Sequence, residues 1–294
     1  MKLTCLGTGT PGPSARRVSS GYWLRTADRS VVIDHGGGAH QRFIEAGGVP
    51  GEITDLLLTH LHSDHALDVP RLVMTRWDQQ SDAPALRVYG PPPVAQFLDR
   101  LFGSEGAFRP DIIARREHPA SLAIFAARGG KGVRPPLAYE VTEVAAGDGF
   151  QLGEVAVTVG HAQHFAPHLS CLGYRFRSGD ADLTYTGDTG YCAEVVDFAK
   201  GTDVMITMCQ YLHGTPLPDA ARATAASHLE AARMAEEAGV GTLVLSHLSE
   251  QFDDPLLRAR AQQEMLAVYG GRIVWAEDGM TLDLSPDATV GRFD

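Results

Sequence analysis

The run Thr59-His60-Leu61-His62-Ser63-Asp64-His65 packs four metal-competent side chains into six residues, directly after the apolar stretch Ile53–Thr59. Side chains alternate faces along a strand, so in a continuing strand His60 and His62 share a face. A turn after His62 then swings Asp64 and His65 toward a second point. This spacing suits two adjacent cations better than one. The remaining ligands must come from distant parts of the chain, and three candidates sit just past other apolar runs. Asp188 follows Leu183-Thr184-Tyr185-Thr186-Gly187, His247 follows Leu243-Val244-Leu245-Ser246, and His164 comes shortly after Val155–Val159. Ligands delivered at strand ends require a rigid sheet beneath them.

Glycine and proline cut the chain into short apolar runs that fit such a sheet. Strands are expected at Leu3–Leu6, Tyr22–Arg25, Val31–Ile33, Ile53–Thr59, Leu86–Tyr89 and Tyr139–Val144. A second series covers Val155–Val159, Leu172–Phe176, Leu183–Thr186, Val204–Met208, Leu243–Ser246, Arg272–Trp275 and Thr281–Leu284. Helices are expected at Ala66–Trp77, Val94–Phe102 and Leu256–Tyr269. One more begins at the capping box Ser227-x-x-Glu230 and stops at Gly239. The pattern weakens over 103–138, where Arg128–Pro136 has the composition of a loop. Two β-rich halves, each followed by helices and with no linker between them, predict a single domain over 1–294, a sandwich with helices outside.

Composition narrows the partners. Apolar residues make up 44% of the 294, enough for a full core, and no apolar run reaches the length of a membrane span. The opening Met1-Lys2-Leu3-Thr4-Cys5-Leu6 meets glycines and prolines too soon for a secretory signal. Four scattered cysteines, with no CxxC, read as thiols of a reducing, cytoplasmic compartment. A net charge of −11 disfavours a nucleic-acid partner bound by broad phosphate neutralisation.

His60-x-His62-x-Asp64-His65, a histidine before Gly173-Tyr174-Arg175, Gly187-Asp188-Thr189 and Ser246-His247 together resemble the metallo-β-lactamase-fold hydrolases. Leu6-Gly7-Thr8-Gly9-Thr10, Ser19-Ser20 and Ser227-His228 are most similar to the branch holding ribonuclease Z, arylsulfatase-like and phosphodiesterase-like enzymes. The resemblance implies an α+β four-layer αββα sandwich with a dinuclear site at one edge of the sheets. It assigns one metal to His60, His62 and His164, a second to Asp64, His65 and His247, and a bridging role to Asp188. His161 and His168 rival His164 for its place. Mixed imidazole and carboxylate ligands suit zinc, with manganese or iron as alternatives.

Two cations about 3.5–4 Å apart can share a water, deprotonate it near neutral pH and clamp the oxygens of an ester. Asp64 is then expected to orient the nucleophile's proton. His228 matches the position of a non-ligand histidine in the ribonuclease Z-like branch and is the expected general acid or oxyanion stabiliser. Two departures from that branch bear on substrate. Asp34-His35-Gly36-Gly37 replaces its Gly-Glu pattern, and Cys209-Gln210-Tyr211 replaces its His-Glu, taking away the carboxylate expected beside His228.

The expected substrate is therefore a small anionic ester, a phosphodiester or an aryl sulfate. The alternatives are a lactone, thioester or β-lactam amide, an RNA 3′ end, and mono-iron redox chemistry on the same fold. Members of the branch often dimerise, so a homodimer is one expectation. Residues 103–138 are the expected specificity insertion. Gly7-x-Gly9-x-x-Gly12 matches a dinucleotide fingerprint, but Pro11 and Pro13 interrupt it and no long helix follows.

Overall fold

Alternation along the strands sorts the apolar residues into three layers. The computed structural model describes residues 1–79 and 84–284. One sheet carries β1 (Lys2–Gly7), β2 (Gly21–Arg25), β3 (Ser30–His35), β4 (Asp55–Leu57), β5 (Leu86–Gly90) and β6 (Tyr139–Glu143) side by side in chain order. The second carries β7 (Gly149–Leu152), β8 (Val155–His161), β9 (Leu172–Ser178), β10 (Ala181–Tyr185), β11 (Val204–Met208), β12 (Thr242–Ser246) and β13 (Arg272–Trp275). The last strand, β14 (Thr281–Asp283), returns to the first sheet beside β1. Each sheet begins with antiparallel pairs and ends in a parallel run, β3 to β6 and β10 to β13.

The parallel runs need crossover connections, and helices supply most of them. The first sheet is backed by α1 (Ala39–Glu45), α2 (Ser63–Ala66), α3 (Val69–Gln79) and α4 (Val94–Phe102), followed by α5 (Arg109–Glu117) and α6 (Pro119–Ala127). The second is backed by α7 (Ala193–Phe198), α8 (Asp219–Arg222), α9 (His228–Ala238) and α10 (Pro255–Leu266). Val31 and Ile33 face inward with Val157, Phe176, Ile206 and Val244, filling the space between the sheets. Val32 and Leu56 face outward onto Phe43, Leu72 and Leu98. Met205 and Leu243 face outward onto Ala231, Ala235 and Met265. Each fully buried Val, Leu or Ile contributes about 1.5–3 kcal/mol to this packing. The result is the αββα sandwich.

Two expected elements change at the site. The helix foreseen over Ala66–Trp77 splits into α2 and α3, because Pro70 has no N–H for the Ala66 carbonyl and its ring crowds that carbonyl. The strand foreseen over Ile53–Thr59 ends at Leu57, so His60 and His62 lie beyond the strand and share no strand face. Thr59 leaves the ladder because Asp34 captures it: the Thr59 N–H donates to Asp34 Oδ1 and its hydroxyl to Oδ2, both at 2.8 Å. Ser227 and Glu230 form the foreseen capping box, and Gly239 closes α9 at φ 65°.

Within 103–138 lie α5 and α6, fastened by one carboxylate at the end of α3. Asp78 accepts from Arg115, Arg128 and Arg134, and the Arg134 guanidinium lies 4.4 Å from the Trp77 ring centroid. Burial pushes the Asp78 carboxyl up, but hydrogen bonds from Arg134 and Arg128 and the charge of Arg115 outweigh it and hold it at about 2. A depressed carboxyl stabilises the fold in full above the ordinary carboxylate range, and that contribution is lost as pH falls toward 2. Asp78→Ala is expected to cost about 1–3 kcal/mol locally. Limited proteolysis at neutral pH should therefore nick 109–134 at least about tenfold faster in the variant. Unchanged cleavage would show that packing alone holds the two helices.

Candidate metal centre

Four loops at one edge of the two sheets deliver the histidines and aspartates to a single place. The segment 59–65 follows β4, His164 lies beyond β8, Asp188 beyond β10, and His247 beyond β12. Two residues there adopt positive φ without being glycine: Asp34 at 52° and His247 at 54°. Such backbone persists only where its surroundings hold it. Gly187, at φ 63°, makes the turn that presents Asp188, and a Cβ on Gly36 would lie 1.9 Å from the Asp64 carbonyl oxygen. Glycine is required at both positions.

The donor atoms form two sets. His60, His62, His164 and Asp188 make one, and Asp64, His65, Asp188 and His247 make the other, with all atoms of a set within 4.8 Å of one another. In the first, His62 Nδ1 is 3.0 Å from His60 Nε2 and 3.2 Å from His164 Nε2. In the second, His247 Nε2 is 3.1 Å from both Asp64 Oδ2 and Asp188 Oδ2, and His65 Nε2 is 3.4 Å from Asp188 Oδ2. A tetrahedral zinc with nitrogens at about 2.0–2.1 Å has ligand–ligand edges of about 3.3–3.4 Å, so both sets have the right size for a small divalent cation. His65 Nε2 is buried with no hydrogen-bond partner among the described residues, as a nitrogen aimed at a cation would be.

Outer hydrogen bonds fix which nitrogen faces in. The His65 Nδ1–H donates to Asp34 Oδ2 at 2.8 Å, and the His164 Nδ1–H donates to the Thr224 carbonyl at 2.6 Å. The Thr59 hydroxyl already donates to Asp34, so at 2.9 Å it accepts from His60 Nδ1–H. The Tyr185 hydroxyl donates to Asp34 Oδ2 at 3.0 Å. Asp34 thus orients both His60 and His65, and sequence reasoning missed it as a site residue. Its signal was there: an aspartate at the end of an apolar strand, before three glycines.

Burial is the main cause that lowers the His60, His62 and His164 pKa values, keeping these imidazoles neutral and their lone pairs available. Burial works against ionised Asp188, yet the charges of His247 and His65 hold its carboxyl well below the usual range. Burial likewise opposes a proton on His65, but Asp188 and Asp34 outweigh it and raise its pKa well above 6.5. A cation in the second set would replace that proton.

The two sets lie at the floor of an open cavity of about 950 Å³. Its walls come from Pro11 and from residues within 164–168, 210–225 and 247–251, and no residue of 103–138 is among them. The expected specificity insertion is therefore away from the cavity. Of the rival histidines, His161 is exposed and in neither set, while His168 is on the cavity wall.

His228 departs from its expected role. It is fully buried and off the cavity wall, because the first residue of α9 turns its ring into the seam with α10. Its Nε2–H donates to Glu264 Oε2 at 2.8 Å, and its Nδ1 accepts from the His213 N–H at 3.1 Å. Its carboxylate partner thus comes from α10 in place of the residues after β11. With both ring nitrogens engaged, His228 ties the backbone at His213, between the wall residues Tyr211 and Thr215, to α10.

Residues 29–248 match the beta-lactamase superfamily domain. A "Ribonuclease Z" of Mycobacterium sp. (strain KMS) is 33% identical over 253 residues, 84% of each chain. The metallo-beta-lactamase fold protein YhfI of Bacillus subtilis superimposes with a TM-score of 0.73 at 21% identity, over 95% of this chain and 98% of its own. The short form of human tRNase Z gives 0.68 at 19% identity, over 97% and 100%. With the αββα sandwich and the clustered donors, these matches place the chain in the β-lactamase superfamily, as a metal-dependent hydrolase of ester bonds on the branch that holds ribonuclease Z.

Proposed function

We propose that this chain is a phosphodiesterase working with two divalent cations, most simply zinc, and that its substrate is an RNA strand cut near its 3′ end. The observation that carries the dinuclear reading is Asp188 Oδ2, shared by both donor sets. The RNA substrate rests on the 33% identity to a protein named ribonuclease Z over most of both chains. When bound, such cations lower the pKa of a water toward neutrality and offset charge on the ester oxygens. The chain's own residues do the rest. Asp64, on the cavity floor, takes the proton of the attacking water, and the cavity walls orient the diester above it.

A second reading is favoured by one feature of the cavity. Its described lining includes no lysine or arginine, and Phe165, Leu217, Ala220 and Ala221 make much of the wall. With a net charge of −11, that wall fits a small diester with one negative charge better than a polyanion. The named relatives favour a phosphodiester over an aryl sulfate.

The protein is expected to hydrolyse bis-p-nitrophenyl phosphate and to trim an RNA carrying a 3′ extension. His62→Ala should lower both by at least about a hundredfold and bind fewer metal ions per chain. RNA cleavage that weakens steeply with added salt would support the first reading. Cleavage of the small diester alone would favour the second, and turnover of neither would remove both.

A further inference from the structure

We propose that His168 donates the proton to the departing oxygen, a role that rests on the phosphodiesterase reading above. An alkoxide or phenolate leaving phosphorus near neutral pH needs a proton unless it is a very weak base. His228 cannot supply it, being buried behind the cavity wall with both ring nitrogens engaged. Besides the candidate ligands, the described cavity lining holds three titratable side chains: His168, Tyr211 and Glu250. The Tyr211 hydroxyl donates to the Ala225 carbonyl at 3.2 Å, and burial pushes it up to about 12, so it keeps its proton. Glu250 is exposed on the cavity wall and is the acidic rival that the test below separates from His168.

His168 is the one imidazole of the described lining that belongs to neither donor set. It lies on the loop between β8 and β9, four residues past His164, and its backbone N–H donates to the Phe165 carbonyl at 3.0 Å. Its ring has no hydrogen-bond partner among the described residues and is exposed at the cavity. An imidazole is the side chain whose ordinary pKa lets it carry a proton near neutrality and still release it.

In the step, the oxygen of water forms the new bond to phosphorus as the bond to the leaving oxygen breaks. The electron pair stays on the leaving oxygen, which takes the proton from the His168 imidazolium. The proton lost by water passes through Asp64 to solvent, and solvent recharges His168.

The test compares methyl p-nitrophenyl phosphate, whose leaving group departs unaided, with methyl phenyl phosphate, whose leaving group is far more basic. His168→Ala is expected to lower kcat/KM for the phenyl ester about 30–100-fold more than for the nitrophenyl ester. The variant should keep wild-type metal content and melting temperature. Glu250→Gln should show no such selectivity. Equal losses on the two esters would make His168 a binding residue, and reduced metal content would make it a ligand. Either result overturns the proposal, as would the selectivity appearing in Glu250→Gln instead. If the wild-type protein cleaves neither ester and leaves the 3′-extended RNA untrimmed, the phosphodiesterase reading fails and the His168 role with it; if it trims only the RNA, whose leaving oxygen is also basic, unchanged trimming by His168→Ala overturns the proposal.

Discussion

Asp188→Ala is expected to leave a folded protein that binds almost no metal and has lost at least about a thousandfold in turnover, the scale seen when one member of a catalytic unit is removed. Every donor set on the cavity floor includes Asp188: its Oδ2 lies 3.1 Å from His247, 3.4 Å from His65, 3.8 Å from His164 and 4.0 Å from His60. In the dinuclear reading, removing it takes one ligand from each site at once, together with the negative charge that would offset two cations in a buried place. Gly187 sets the turn whatever side chain follows, so the backbone should hold. Metal analysis beside a far-ultraviolet spectrum checks this. A variant that keeps two ions per chain would show that Asp188 is not shared.

The second large effect falls on Asp34, which lies behind the ligands. It is fully buried and accepts from Thr59 N–H, Thr59 Oγ1, His65 Nδ1 and Tyr185 OH. Asp34→Ala strands all four donors, and loss of one partner from such a buried network costs about 3–5 kcal/mol. Asp34→Asn is the sharper experiment because it keeps the shape. Three of the four donors meet Asp34 Oδ2, so the amide oxygen takes that place as an uncharged, weaker acceptor for His65 Nδ1–H, and the amide nitrogen is set against the Thr59 N–H. The Asn variant should therefore fold with a modest drop in melting temperature while metal affinity at the second set weakens about 10–100-fold. Metal titration followed by calorimetry checks this. Unchanged affinity would mean that His65 is oriented by packing alone.

The grouping of the candidate ligands was legible in the sequence because each member follows an apolar run, and a sheet brings the ends of strands that run the same way to one edge. His60, His62, Asp64 and His65 could be read together, and the structure brings them together with His164, Asp188 and His247. Asp34 was not legible as an orienting group, since its role depends on β3 lying beside β4, a pairing no local pattern fixes. Nor was the place of His228. The resemblance to the ribonuclease Z-like branch suggested a cavity residue, but the orientation of α9 against α10 turns the ring to Glu264, 36 residues away. Val204–Met208 and Val94–Phe102 were found to the residue, because a continuous apolar run marks the one and helical spacing the other. The helices α5 and α6 were not foreseen, since only Phe125 in the pair is buried and little periodicity marks them.

The dinuclear phosphodiesterase reading is tested most directly by counting metal ions per chain in the purified protein while following bis-p-nitrophenyl phosphate hydrolysis before and after chelation. Two divalent ions per chain, with turnover that disappears on chelation and returns with zinc or manganese, is the predicted result. A single iron per chain with no hydrolysis would contradict it and move the chain to redox chemistry on the same fold.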